Sequence, residues 1–258
     1  MIIDSHCHLT YEPMSTSLDE TINRANKDGV KYLLTISTED KSYNQILDIV
    51  RNYKCVYGTY GIHPHEAKNH LDLKCKDIIK QIKKSKKIIG IGETGLDYYY
   101  NHSEKNQQIN SFLEHIHASQ ETNLPVIVHT RAAEEDTLNI LKKEIKKKNF
   151  KILIHCFTGS KKFAFDLLDI GAYISASGVV TFKNSIELAE TFKLIPDNRI
   201  LVETDAPYLA PTPLRGKPNE PSYIIHTVEF LSKLKKISFK NFAQKTSKNF
   251  YNLFGKLN

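Results

Sequence analysis

Apolar positions along the chain fall into short runs that alternate with longer segments of helical spacing. The runs are MIID (1–4), KYLLTI (31–36), CVYGTYGI (55–62), KIIGIG (87–92), PVIVH (125–129), KILIH (151–155), AYISAS (172–177) and RILVET (199–204). Each is rich in β-branched residues and bounded by turn signals, the pattern of a buried strand. Between them, segments such as LDETINRANKDG, KSYNQILDIVRN, NQQINSFLEHIHASQET and KKFAFDLLDIG have the spacing of amphipathic helices. Gly29 and Gly171 fall where helix C-caps belong. Eight strands, each followed by at least one helical segment, predict an α/β chain closed into a (β/α)8 TIM barrel. Residues from about Pro221 to Phe254 add one or two further C-terminal helices. No linker, repeat or low-complexity stretch interrupts the pattern, so a single domain over 1–258 is expected.

Composition narrows the picture modestly. A chain of 258 residues with 40% apolar content suits one barrel with a sizeable core. The N-terminus lacks the features of a signal peptide, and no apolar run approaches the roughly 20 residues of a membrane span. The four cysteines show no CxxC or zinc-ribbon spacing and read as reduced thiols of a cytoplasmic protein. The formal charge of +7 comes mostly from lysine. It is compatible with an anionic substrate such as nucleic acid, and equally with a lysine-rich composition that has no such meaning.

The positions of the ionisable residues are more informative. His6 and His8 follow the first run, His63 and His65 the third, Glu93 the fourth; His129 and His155 end the fifth and sixth, and Glu203 and Asp205 the eighth. In a parallel barrel those strand ends meet at the C-terminal mouth, where barrel enzymes hold their chemistry. A lone histidine at a strand end is more often a hydrogen-bonded or exposed residue than a ligand. The pair in DSHCHL has both imidazoles on one side of a strand, within reach of one ion. Together with acids and histidines at so many other strand ends, it favours a metal centre. Cys7 and Cys156 alternate away from the neighbouring histidines and read as packing residues. His70, His102, His115, His117 and His226 lie on helices or loops and read as surface or packing residues.

DSHCHL, GIHPH, GETGLDYY, VHTR, IHCFTG and ETDAPYL, in this order, resemble the TatD family of metal-dependent deoxyribonucleases, from residue 2 to about residue 220. The resemblance implies a (β/α)8 barrel with two divalent cations and hydrolysis of nucleic-acid phosphodiesters. It implies that His6, His8 and Asp205 bind the first metal, that His129 and His155 bind the second, and that Glu93 bridges them. It also places His63 near the substrate phosphate. Every one of these positions is present in the chain.

Four imidazoles and two carboxylates suit zinc or manganese, and magnesium if phosphate supplies ligands. Two such ions can clamp a phosphodiester and activate water. Asp205 is the best general base, because a carboxylate on the metal also reaches that water. Glu203 reads either as a partner that orients a histidine or as a buried carboxylate paired with a nearby base. Asp97 reads either as support for the ligands or as a loop cap. The lysine runs at 83–87 and 142–148 precede strands and read as solvated helix ends away from the mouth. Arg131, Lys161, Lys162, Arg215 and Lys217 follow strand ends and are the candidate phosphate contacts. Tyr98, Tyr99 and Tyr100 could stack on splayed bases or pack beneath their loop. The expectation is a monomeric, cytoplasmic exonuclease acting on single-stranded DNA ends, possible RNA cleavage included, with no membrane partner. One rival is an amidohydrolase-type barrel cleaving a small amide, lactone or phosphoester. The other is a non-catalytic protein with a structural metal, and six candidate ligands argue against it.

Overall fold

All eight expected strands are present: β1 (Ile2–Cys7), β2 (Val30–Thr35), β3 (Val56–Tyr60), β4 (Ile88–Asp97), β5 (Val126–Arg131), β6 (Ile152–Ile154), β7 (Tyr173–Ala176) and β8 (Ile200–Val202). The structure, a computed structural model, describes residues 1–255 and 257. The strands form one sheet in sequential order from β1 to β8. The intervening helices are α1 (Leu18–Lys27), α2 (Asp40–Asn52), α3 (Cys75–Ile82), α4 (Lys105–Thr122), α5 (Glu134–Lys147), α6 (Lys161–Asp169) and α7 (Ile186–Leu194). Two more, α8 (Ile224–Leu234) and α9 (Phe239–Phe254), close the chain as the apolar pattern anticipates. This is a (β/α)8 TIM barrel. Among the described residues no helix is long and apolar enough to cross a membrane.

The chain comprises two compact units. One comprises Met1–Thr35, Cys156–Phe165 and Tyr173–Asn258; the other comprises Ile36–His155 and Asp166–Ala172. In the first unit, β1 pairs in parallel with β2, and β7 with β8. An isolated parallel bridge joins Cys7 to Ala206. All six residues of β1 are buried, as expected of a strand covered on both faces. In the second unit β3, β4, β5 and β6 pair in parallel in that order. Gly29 and Gly171 follow α1 and α6 with φ of 84° and 82°, closing those helices as expected.

The strand ends depart from the apolar runs in ways that matter for the site. β1 runs on through His6 and Cys7, and β8 stops at Val202, so Glu203 and Asp205 lie beyond it. The largest departure is β4. It reaches Asp97 rather than Gly92, so Glu93 and Asp97 lie within the strand. Two glycines keep it extended where other residues would end it. Both have φ of 136°. A Cβ on Gly92 would approach the Ile127 carbonyl to 2.6 Å, and one on Gly95 the His129 carbonyl to 2.0 Å. Between Ile91 and Thr94 the register with β5 shifts by one residue, a bulge centred on Gly92 and Glu93. Bulges of this kind re-aim a side chain next to a functional site.

One of the lysines expected in solvent has a structural task. Lys87 Nζ donates to the carbonyls of Val50 (2.8 Å) and Tyr53 (2.6 Å), satisfying groups at the C-terminal end of α2.

Candidate metal sites

In the first unit, the end of β1 and the segment after β8 bring three ligand atoms together. His6 Nε2 lies 3.3 Å from His8 Nε2 and 3.6 Å from Asp205 Oδ1, which lies 3.4 Å from His8 Nε2. Both histidines are buried. The alignment of the two segments comes from a buried clasp. Asp4 Oδ1 accepts from the backbone N–H of Thr204 (3.0 Å), and Asp4 Oδ2 accepts from the Thr204 hydroxyl (2.6 Å). Burial pushes the Asp4 carboxyl up to about 7, against the Thr204 and His6 hydrogen bonds that lower it. The Asp205 N–H donates to the His6 carbonyl, and the His8 N–H to the Ala206 carbonyl. Asn219 Nδ2 donates to the carbonyls of Thr204 (2.9 Å) and Tyr208 (2.6 Å). Asp205 itself adopts φ of 56°, the left-handed region that aspartate tolerates better than most residues. Tyr11 stacks on His8 with ring centroids 4.9 Å apart and planes 12° from parallel.

Glu203 is fully buried and accepts from the Ser175 hydroxyl. One of its oxygens lies within 4.8 Å of a ring nitrogen of His6. Cys7 donates its thiol to the Leu34 carbonyl at 3.5 Å, and Cys156 Sγ lies 3.1 Å from Ser177 Oγ.

In the second unit the centre is Glu93. Its Oε1 lies 2.7 Å from His155 Nε2, 3.1 Å from His129 Nδ1 and 3.5 Å from His63 Nε2. His129 Nδ1 and His155 Nε2 are 3.3 Å apart. Burial raises the pKa of Glu93, but His155, His63 and His129 outweigh it and hold the carboxyl well below its usual range. His63 is held well below its ordinary value, chiefly by burial, so its ring is neutral. Its Nδ1 accepts from the His65 N–H (3.2 Å). The ring proton therefore sits on Nε2, which makes His63 a donor toward the site.

Asp97, read from sequence as either ligand support or loop cap, is both. Its Oδ2 lies 3.1 Å from His129 Nε2 and 2.9 Å from His65 Nε2. Its Oδ1 accepts from the N–H groups of Tyr99 and Tyr100, each at 3.0 Å. Burial raises its pKa, yet the His129, His65 and Tyr100 hydrogen bonds hold it far below the usual carboxylate range. Gln108 fixes the Asp97 backbone: its Oε1 accepts from the Asp97 N–H at 2.7 Å and its Nε2 donates to the Asp97 carbonyl at 3.0 Å.

In each cluster the distance between two imidazole nitrogens fits a shared divalent cation. Two metal–nitrogen bonds of about 2.1 Å at tetrahedral or octahedral angles span a ligand–ligand edge of roughly 3.0–3.4 Å. The His6–His8 and His129–His155 edges are both 3.3 Å. The mixed nitrogen and oxygen donors are those that zinc, manganese and related ions accept. His63, Glu93 and His129 also offer ligand atoms within 4.8 Å of one another.

Of the cationic candidates, Arg131 ends β5 with its guanidinium 4.3 Å from the Tyr99 ring centroid and 4.6 Å from that of Tyr100. Arg215 stacks on Phe182 at 3.6 Å. Lys161 and Lys162 open α6 and are exposed. The three tyrosines divide. Tyr98 donates its hydroxyl to Asp136 (2.8 Å), whereas Tyr99 and Tyr100 are 64% and 49% exposed. Four supporting residues carried no assigned role in the sequence reading: His65, Asp4, Thr204 and Gln108. His65 repeats the HxH spacing with His63, a usable signal; the other three look like ordinary polar residues beside a strand or within a helix. His102, expected among surface or packing residues, packs edge-on against His65 with centroids 4.6 Å apart.

The sequence profile of the family described as TatD related DNase matches residues 3–255. The chain is 41% identical over 261 residues to the "uncharacterized metal-dependent hydrolase BU355" of Buchnera aphidicola, an alignment covering 98% of each chain. It is 31% identical over 259 residues to the "3'-5' ssDNA/RNA exonuclease TatD" of Escherichia fergusonii, covering 98% of this chain and 99% of the relative. Among solved structures, the TatD homologue YjjV of Escherichia coli superposes with a TM-score of 0.91 at 26% identity, covering 99% of this chain and 98% of the other. The chain belongs to the TatD family of metal-dependent hydrolases.

Proposed function

We propose that the protein is a two-metal phosphodiesterase that removes nucleotides from single-stranded DNA ends, and from RNA. The observation that carries hydrolysis is Glu93, an ionised buried carboxylate ringed by three imidazole nitrogens at 2.7, 3.1 and 3.5 Å. The nucleic-acid substrate and 3'-5' direction are supported by the 31% identical exonuclease. His6, His8 and Asp205 would hold one ion, and Glu93, His129 and His155 the other. Zinc, manganese or magnesium bound there would lower the pKa of a water toward ~7 and neutralise charge on the phosphoryl group. Asp205 takes the proton from the attacking water. His63 holds a non-bridging phosphate oxygen through its Nε2–H, the tautomer supported by its bond from His65. Asp97 fixes the orientation of His129. Arg131, Lys161 and Arg215 are the candidates for contact with phosphates further along the strand. The four free cysteines support a reducing cytoplasm as the compartment.

The test incubates metal-loaded protein with labelled single-stranded DNA, duplex DNA and RNA, alongside Glu93→Ala and Asp205→Asn. Nucleotide release from single strands, faster than from duplex and lost in both variants, is the expected result. A wild type that releases no nucleotides with any of the three metals, or variants that match it, would overturn the reading.

A further inference from the structure

We propose that Tyr99, Tyr100 and Arg131 form a stacking ledge that holds the unpaired base of a nucleotide substrate. The inference rests on the nucleic-acid reading above and assigns part of its specificity to named side chains. The two rings are the exposed members of the tyrosine triplet, at 64% and 49%. They meet edge to face, with centroids 5.0 Å apart and planes at 89°. The Arg131 guanidinium lies over both, at 4.3 and 4.6 Å. Tyr100 also lies 8° from parallel with His102, with centroids 5.7 Å apart. Planar π-faces with a guanidinium beside them are the chemistry that binds unpaired bases, because every base has a π-face.

Two further observations separate the ledge from a chance surface cluster. Its backbone is fixed, since Asp97 Oδ1 accepts from both tyrosine N–H groups at 3.0 Å. The neighbouring tyrosine is committed elsewhere, with the Tyr98 hydroxyl on Asp136 at 2.8 Å and Lys105 over its ring at 4.1 Å. The ledge therefore carries its two rings on a fixed backbone, which leaves less conformational entropy to be lost on binding than a free loop would. It is also close to the chemistry. Asp97 Oδ2 contacts His129, and His65, the other partner of that oxygen, packs against the Tyr100 ring at 5.4 Å. Within a duplex both faces of an interior base are already stacked, so the ledge selects a single-stranded end.

The experiment measures binding by fluorescence anisotropy in EDTA, where cleavage does not intervene. The probes are labelled oligothymidylate and an abasic oligomer of the same length. Wild type should bind the oligothymidylate at least about fivefold more tightly than the abasic strand. Tyr99→Ala and Tyr100→Ala should each remove most of that preference, whereas Tyr99→Phe and Tyr100→Phe should keep it. Arg131→Lys, which preserves charge but not the planar face, should weaken oligothymidylate binding more than abasic binding. Equal binding of the two probes by wild type, or alanine variants that retain the preference, would overturn the ledge. Failure of the hydrolase reading looks different: no nucleotide is released with metal, while the base preference in EDTA stands.

Discussion

Asp97 contacts His129 Nε2 at 3.1 Å, and the opposite nitrogen of the same ring faces Glu93 at 3.1 Å. An ionised carboxylate only accepts, so the contact fixes a proton on Nε2 and leaves Nδ1 for the site. Partners of this kind orient the ligand and raise its basicity. In Asp97→Asn the amide can no longer enforce that tautomer. Titration calorimetry should show metal affinity reduced by about 10–100-fold, with the far-ultraviolet dichroism unchanged. Undiminished affinity would remove Asp97 from this role.

The two-metal proposal requires two separable ions. Mass-spectrometric metal counting after dialysis should give two ions for wild type and one each for His8→Ala and His129→Ala. Full occupancy in either variant would show that the lost imidazole is not a ligand.

The clasp between Asp4 and Thr204 sets the position of the residues that follow each. Thr204→Val keeps the shape but removes the hydroxyl that donates to Asp4 (2.6 Å) and accepts from the Ala206 N–H (3.2 Å). Stranding buried polar groups costs about 1–3 kcal/mol. Thermal unfolding should show the melting temperature lowered by several degrees. An unchanged melting temperature would mean that the clasp adds nothing to stability.

His115 should make stability depend on acid. Its ring is buried, with Nδ1–H donating to the Ser111 carbonyl (2.7 Å) and Nε2 accepting from the Ile62 N–H (3.0 Å). Burial lowers its pKa to about 4. The folded protein thus binds this proton less readily than the unfolded chain, whose histidine titrates near ~6.5. The contribution is complete above about pH 6.5 and is lost as pH falls toward 4, by at most about 1.4 kcal/mol per unit. Urea midpoints over this window should fall more steeply for wild type than for His115→Gln, and parallel curves would refute the assignment.

The fold was legible in the apolar runs because the strands are mostly buried and few polar residues interrupt them. The clustering of histidines was legible because they sit at or near the ends of those runs. What failed is instructive. β4 was cut short at Gly92 because a glycine next to an acid resembles a turn, whereas here glycines at 92 and 95 let the strand continue past a bulge. The clasp was invisible because Asp4 and Thr204 lie 200 residues apart, and no local pattern links them. The tyrosines read as one triplet, although only the position of Asp136 on α5 decides which of them is anchored.

That same separation orders events in time. His6 and His8 leave the ribosome early, but their carboxylate partner Asp205 and the residue that clasps Asp4 are made some 200 residues later. At a synthesis rate of about 5–20 residues per second, this is a delay of roughly 10–40 s. During that interval the nascent chain lacks the third corner of the His6, His8 and Asp205 triangle. A growing chain therefore holds only the histidine half of this cluster until Asp205 has been made.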